Sequence, residues 1–241
     1  MATLKETFQE RVKTKGCKNE DLAANFFVRI ESEFAKINPV RQWSEVNFDK
    51  ILDQTIAFSN LGVDPLVRNT ISFMPAWNKN GKWDYIFVED YRAMETLAKK
   101  YGVNSPENVT SEVVYKNDKF SISKKDLSNP NEGYNFVIEN PFERGEIVGA
   151  FAYMEYEKPI YNKVIFSTVE EIKKVVKWCK KDGTPTDMWQ NNRHQMCEKT
   201  ILKKAWKRVP LNTVSDLSEY YALKSVSEDF EPESTTDLPF N

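Results

Sequence analysis

At 241 residues, with 40% hydrophobic side chains that include 15 Phe, 10 Tyr and 6 Trp, the chain is too apolar to be disordered and suits one domain with appendages. No apolar run reaches the roughly 20 residues a bilayer span needs, the polar start MATLKETFQERVKTK does not read as a signal peptide, and the widely spaced Cys17, Cys179 and Cys197 fit reduced thiols in a cytoplasm, not a disulfide framework or zinc site. The net charge of −2 hides a segregation: residues 227–241 hold five acids and no base, so the first 226 residues sum to +3, and residues 163–208 hold twelve Lys and Arg against five Asp and Glu. Such asymmetry points to a nucleic-acid or other polyanion partner.

The first elements read as helices. Residues 20–36 carry Leu22, Phe26, Phe27, Ile30 and Phe34 near a 3.6 period, and Asn38-Pro39 breaks the pattern. Residues 47–59 repeat it with Phe48, Ile51, Leu52, Thr55 and Ile56 inward; Asn60-Leu61-Gly62 stops it and Asp64-Pro65 makes a turn. The period then changes to two. Residues 70–77 and 82–89 read as strands around Asn78-Lys79-Asn80-Gly81, a Gly-containing hairpin connection. Asp90 can cap a helix with the stripe Met94, Leu97, Ala98 and Tyr101, closed by Gly102 in the usual post-helix position.

Further strands are predicted over 112–115, 119–123, 134–138, 146–156 and 161–167. A helix starts at Ser167/Thr168 with Glu170 and Glu171 at capping-box spacing, a stripe of Ile172, Val175, Val176 and Cys179, and Lys173, Lys174, Lys177, Lys180 and Lys181 on the rest. After the loop Asp182-Gly183-Thr184-Pro185 comes a long helix-like segment, residues 189–210. At about 100° per residue, Cys197, Ile201, Leu202, Ala205, Trp206 and Val209 share one side, and Lys199, Lys203, Lys204, Lys207 and Arg208 the other, opposed only by Glu198. One face can dock on a core while the other presents a ladder of cations to a polyanion backbone. The order of elements is α+β: N-terminal helices, a central mostly antiparallel β-sheet with packed helices, a basic C-terminal helix and a disordered acidic tail. The boundaries read as 1–60 for a helical region, 61–212 for an α+β core, 213–226 for a helix or linker and 227–241 for the tail.

Neither GxxxxGK[ST] nor GxGxxG occurs, which argues against an ATP-driven DNA motor. His194 is the only histidine, so a two-His metal site or a His relay is excluded, and on the basic helix it suits a surface or phosphate-facing role better than that of a general base. A nuclease-type group of Asp84, Glu89 and Lys82 can be assembled on paper, but such combinations arise easily among 36 acids.

Four segments in order resemble the phage RecT/Redβ single-strand annealing proteins, nearer the RecT branch. Leu61-Gly62-Val63-Asp64-Pro65 is similar to that family's LGL-[ND/E]-P turn, and Phe73-Met74-Pro75 to its strand ending in an apolar pair and Pro. Tyr85-Ile86-Phe87-Val88-Glu89-Asp90-Tyr91-Arg92, then a helix and Gly102, resembles an apolar strand running into G-Y-[KR]-G and a helix ending Arg-x-Gly. Trp189, Met196-Cys197-Glu198-Lys199-Thr200, Lys203-Lys204, Lys207 and Pro210 resemble PW…EMA-x-KT…RR…K-x-LP. The chain departs by placing Asp90 and Ala93 where the pattern has Gly, Met188 where it has Pro, and a Lys pair where it has Arg. The Lys pair keeps the charge but loses bidentate geometry.

The resemblance implies ATP-independent binding and annealing of single-stranded DNA in phage homologous recombination. It implies no resident cofactor, Mg²⁺ acting at most as a modulator of DNA binding. The partners it implies are single-stranded DNA and nascent duplex, further copies of the chain in a ring or helical filament, a phage exonuclease and a host single-strand-binding protein, all in the bacterial cytoplasm. The alternatives are a passive single-strand-binding protein and a metal-dependent nuclease.

Annealing breaks no covalent bond: the protein neutralises phosphates, extends a strand and leaves base edges free. Phosphate contacts fall to Lys199, Lys203, Lys204, Lys207 and Arg208, with Arg193 at the start of the helix; Arg68 and Arg92 match basic positions of the family pattern. Tyr91 either stacks on a base or packs a sheet edge, Trp189 either stacks or anchors a core, and Trp206, on the apolar face, is core. The tail ends Asp237-Leu238-Pro239-Phe240-Asn241, similar to the docking tail of bacterial single-strand-binding proteins but with Asn241 after the Phe.

Overall fold

A computed structural model describes residues 3–36, 40, 42–176, 182–212, 217, 218, 220 and 221. The chain forms two compact units, Met1–Leu97 with Asn212–Asn241, and Ala98–Leu211. The division falls at Leu97/Ala98, where the sequence suggests residue 60/61.

The first unit begins with α1 (Leu4–Thr14), which the hydrophobic pattern leaves unassigned; Thr3 and Glu6 cap it reciprocally. α2 (Glu20–Phe34) and α3 (Phe48–Leu61) follow, capped by the side chains of Asn19 and Asn47. α3 ends at Gly62 with φ 85°, a left-handed cap that glycine adopts without steric cost. β1 (Ile71–Trp77) and β2 (Trp83–Glu89) pair antiparallel, Phe73 opposite Phe87 and Trp77 opposite Trp83. The hairpin joins the helices, and not the later strands, because its aromatic face fits theirs: Phe87 stacks on Phe26 at 5.2 Å, and Tyr85 meets Phe34 at 5.6 Å. Gln54 completes the join from α3, donating to the Tyr85 carbonyl and accepting from the Phe87 N–H, both at 2.8 Å, so a side-chain amide satisfies the edge of β2. Leu217 and Tyr220 are buried here as well, and the Tyr220 hydroxyl donates to Glu89 at 3.1 Å.

α4 (Tyr91–Tyr101) carries the division between the units. In the second unit, β3 (Asn108–Tyr115), β6 (Ile147–Glu155) and β7 (Lys163–Thr168) form an antiparallel sheet in the order β3-β6-β7, and β4 (Lys119–Ser123) and β5 (Gly133–Val137) a separate hairpin. Strand alternation sorts β6 into two faces. Phe151 turns to the hairpin, where it meets Phe120 at 4.5 Å, Tyr134 at 4.7 Å and Phe136 at 5.4 Å. Ala150, Ala152 and Met154 turn the other way, toward the helical layer of α5 (Val169–Val175) and α7 (Arg193–Trp206). Small side chains on that face let α7 approach closely.

The α+β class is as the sequence reads, with antiparallel pairing throughout the described strands, but the strands are divided between units and do not form one central sheet. Gly102 departs from its expected role. Its φ is not positive; a Cβ there would stand 2.3 Å from the Ala98 carbonyl oxygen, so glycine serves a close approach and not a left-handed cap. Cys179, Lys177, Lys180, Lys181 and residues 227–241 lie outside the described residues.

Candidate nucleic-acid interface

The basic helix is two helices. α6 (Asp187–Asn191) and α7 are separated at Asn192, whose φ of −133° and ψ of 39° interrupt the helical path. A short amide that competes for backbone hydrogen bonds is a suitable residue for such a break. Trp189 lies on α6 with 2% of its surface exposed. That burial removes it from the base-stacking candidates: no ring face remains for a base, and the residue is a core anchor, as Trp206 is at 4%.

α7 separates its faces as the periodicity requires. Cys197, Ile201 and Ala205 are fully buried against the sheet, whereas Lys199, Lys203 and Lys204 are half-buried and Lys207 and Arg208, in the turn that follows, are exposed. Glu198 points to β3, accepting from the Ser111 hydroxyl at 3.1 Å. His194 also faces β3: its Nδ1 lies 2.9 Å from the Tyr115 hydroxyl and its ring stacks on that of Tyr115. It orients the start of α7 and is neither a free surface residue nor placed on the cationic side. Burial pushes the Cys197 thiol up to about 11 against the opposing pull of the Arg193 and Lys173 charges, so the group is neutral at physiological pH.

Between α5 and α7 lies an open cleft of about 540 Å³ that brings together Lys174, Lys203, Lys204 and Lys207 around Val175 and Val176. Lys204 donates to the Phe166 carbonyl at 2.9 Å and to the Ser167 hydroxyl at 2.6 Å. Both acceptors are neutral, so its charge still contributes to the cleft's field. Glu171, the acid on the lining, is turned to the Thr168 N–H at 3.0 Å in the cap of α5. Four lysines against the one carboxylate of Glu171 give the lining a net positive charge, able to hold phosphates beside a strip of aliphatic surface. The sequence reading leaves Lys174 and this strip out. It predicts Val175 and Val176 on a buried helical stripe; α5 ends at Val175, Val176 is extended, and Val175 is 74% exposed. The run Lys173-Lys174 was the available signal for the first of these.

The three remaining candidates belong to the first unit. Asn69, in the left-handed conformation at φ 61°, donates from Nδ2 to the Tyr91 hydroxyl at 3.3 Å, and its carbonyl accepts the Arg92 N–H at 3.1 Å. The Arg92 guanidinium donates to the same hydroxyl, which raises its already high pKa. Arg68, next in the chain to Asn69, is exposed, as is Arg92, and Tyr91 is half-buried. Asp90, which replaces a glycine of the family pattern, is 2% exposed and accepts the Tyr91 N–H at 2.8 Å, so its carboxylate is turned inward.

Asp84, Glu89 and Lys82 do not form a site. Asp84 and Glu89 stand five residues apart on β2, on opposite faces and near opposite ends. Asp84 accepts from Lys50 at 2.8 Å, Asn78 at 2.8 Å and Asn47 at 3.1 Å. Burial alone would raise its carboxyl, but those three hydrogen bonds and the Lys50 charge outweigh it and hold the group below its usual range. Among the described residues no group of three or more His, Cys, Asp or Glu is placed to hold a metal ion, and no helix is long and apolar enough to cross a membrane.

Comparison with protein families matches residues 45–235 to the RecT family. The chain belongs to the RecT family. The match covers most of the chain, including all four sequence segments that resemble that family and all ten candidate DNA-binding residues. RecT-family proteins bind single-stranded DNA and anneal it in recombination. No curated protein and no solved structure matches this chain.

Proposed function

We propose that this RecT-family protein pairs complementary single strands without ATP in phage recombination, holding one strand's phosphates in the α5–α7 cleft. The observation that carries the reading is the convergence of Lys174, Lys203, Lys204 and Lys207 in one open cleft of a RecT-family chain. Lys199, Arg193 and Arg208 extend the same positive surface along α7, and Arg68 and Arg92 supply contacts from the first unit. Contacts of this type address the sugar–phosphate backbone and leave base edges to the complement. No covalent step is needed. Self-association into a ring or filament carries the strand from one copy to the next, an exonuclease supplies the strand, a host single-strand-binding protein is exchanged for it, Mg²⁺ modulates binding, and the setting is the cytoplasm of a bacterial host.

The test mixes the protein with one of two long complementary strands, adds the second without ATP, and follows pairing, with the products run on a denaturing gel. Faster pairing of intact strands is expected. Binding without faster pairing supports a passive coating protein, and shortened strands support a nuclease; either result overturns the annealing reading.

A further inference from the structure

The tip of the β1–β2 hairpin carries a chemistry that the cleft lacks. The segment Trp77-Asn78-Lys79-Asn80-Gly81-Lys82-Trp83 holds two indoles, two cations and no acid. Trp77 is 60% exposed, whereas Trp189 and Trp206 are buried at 2% and 4%. Trp83 sits opposite it and supports it edge to face, with ring centroids 5.0 Å apart and planes at 73°. Lys79 and Lys82 are both exposed on the connecting turn.

The mounting is rigid. The Asn78 side chain accepts the N–H of Asn80 at 2.9 Å and of Lys82 at 3.2 Å, and donates to Asp84 at 2.8 Å. Gly81 closes the turn at φ 72°. Asp84 is tied in turn to Lys50 and Asn47 at the start of α3, and the Trp83 carbonyl accepts the Asn47 N–H at 2.8 Å. The acid nearest the turn is thus compensated by Lys50, and the turn's own charge stays positive. Met74, the hairpin's other exposed large apolar side chain, falls on the opposite face by strand alternation. The tip therefore presents one indole among cations and amides, not a contiguous apolar patch. An isolated, preoriented aromatic face flanked by ammonium groups is what a nucleobase and its neighbouring phosphates require.

We propose that the β1–β2 tip is a base-contacting site for single-stranded DNA, with Trp77 stacking on a nucleobase and Lys79 and Lys82 holding the adjacent phosphates. The inference rests on the reading of the chain as a single-strand binder. It adds a contact to the bases that the backbone-directed cleft does not make.

The test is a cycle between the protein's indole and the strand's bases. Full-length wild type, Trp77→Ala, Trp77→Phe and Trp77→Leu are titrated with oligodeoxythymidylate and with a tetrahydrofuran abasic strand of equal length, folding being checked by circular dichroism. Trp77→Ala and Trp77→Leu are expected to weaken binding to the thymidylate strand by roughly tenfold, within the range of base–aromatic stacking, and to leave the abasic strand unaffected. Trp77→Phe retains most of the affinity, which separates a ring from mere apolar volume. The dependence of affinity on salt is expected to keep its slope in the Trp77 variants and to lose about two counterions in Lys79→Ala/Lys82→Ala. Equal losses on both strands, or no loss on either, overturn the proposal and favour a protein partner for the indole. A wild-type chain that binds neither strand overturns the functional reading itself, and this inference with it.

Discussion

The two units both pack around aromatic rings but carry opposite charge balances. Met1–Leu97 with Asn212–Asn241 carries 14 Lys and Arg against 21 Asp and Glu, whereas Ala98–Leu211 carries 20 against 15. In the first, the core is a chain of rings from Phe8 through Phe27, Trp43, Phe34 and Tyr85 to Phe73, and several cations are matched to acids, as Lys15 is to Asp53 and Lys50 to Asp84. In the second, the sheet is faced by alanines on one side, and Arg144 pairs with Asp118 while four lysines gather in one cleft. An excess of five cations spread over more than a hundred residues would steer a polyanion weakly; clustering turns it into a binding surface.

The largest effect that sharpens this comparison comes from a residue that looks functional and is structural. Trp189→Ala should destabilise the protein by about 3–5 kcal/mol through loss of a fully buried ring, read as a fall in thermal midpoint, while the salt slope of DNA binding of the folded fraction stays put. An unchanged midpoint with weakened binding would return Trp189 to the DNA-contacting set. Next, Lys203→Glu/Lys207→Glu should lower single-strand affinity about a hundredfold at low salt and shrink the slope of log affinity against log salt by about two or more, measured by fluorescence anisotropy. Retained affinity would move the binding surface away from the α5–α7 cleft.

A smaller change is expected in the acidic unit. Arg92→Ala removes one phosphate contact and should weaken binding about threefold, with a slope change near one; an effect as large as that of the lysine pair would place the main interface in the first unit. The smallest effect concerns pH. The Cys197 thiol ordinarily titrates at 9.0 and in the fold at about 11. A pKa raised by folding means that the stability it contributes is whole below pH 9 and is lost as pH rises from 9 to 11. Cys197→Ala should flatten the decline of stability over that window in chemical denaturation, and a variant with the wild-type slope would show that the thiol is not shielded.

Much of the local structure was legible from residue type and period. Asn47 and Gly62 bracket α3, Asn78 to Gly81 turn the first hairpin, and Thr168 with Glu171 starts α5, because caps and turns are satisfied by side chains within a few residues of the backbone they serve. The separation of Cys197, Ile201 and Ala205 from Lys203 and Lys207 likewise follows from helical geometry alone. The candidate site was legible only as a row of cations. That the row is half a cleft, with Lys174 and the exposed Val175 as its other half, depends on where α5 stops, and the stripe through Val176 gave the opposite expectation.

The sequence by itself determined the α+β class, the family and the cationic face of α7, since each depends on near neighbours or on the order of motifs. Only the tertiary structure decided that β1 and β2 pack with the helices, that Trp189 is buried while Trp77 is exposed, and that Asp84 is tied to Lys50 and Glu89 to Tyr220. The physical reason is common to all three. A ring or carboxylate has the same local preferences wherever it stands; burial and partnership are set by surfaces far away in the chain, such as Phe26 for Phe87 and Lys50 for Asp84.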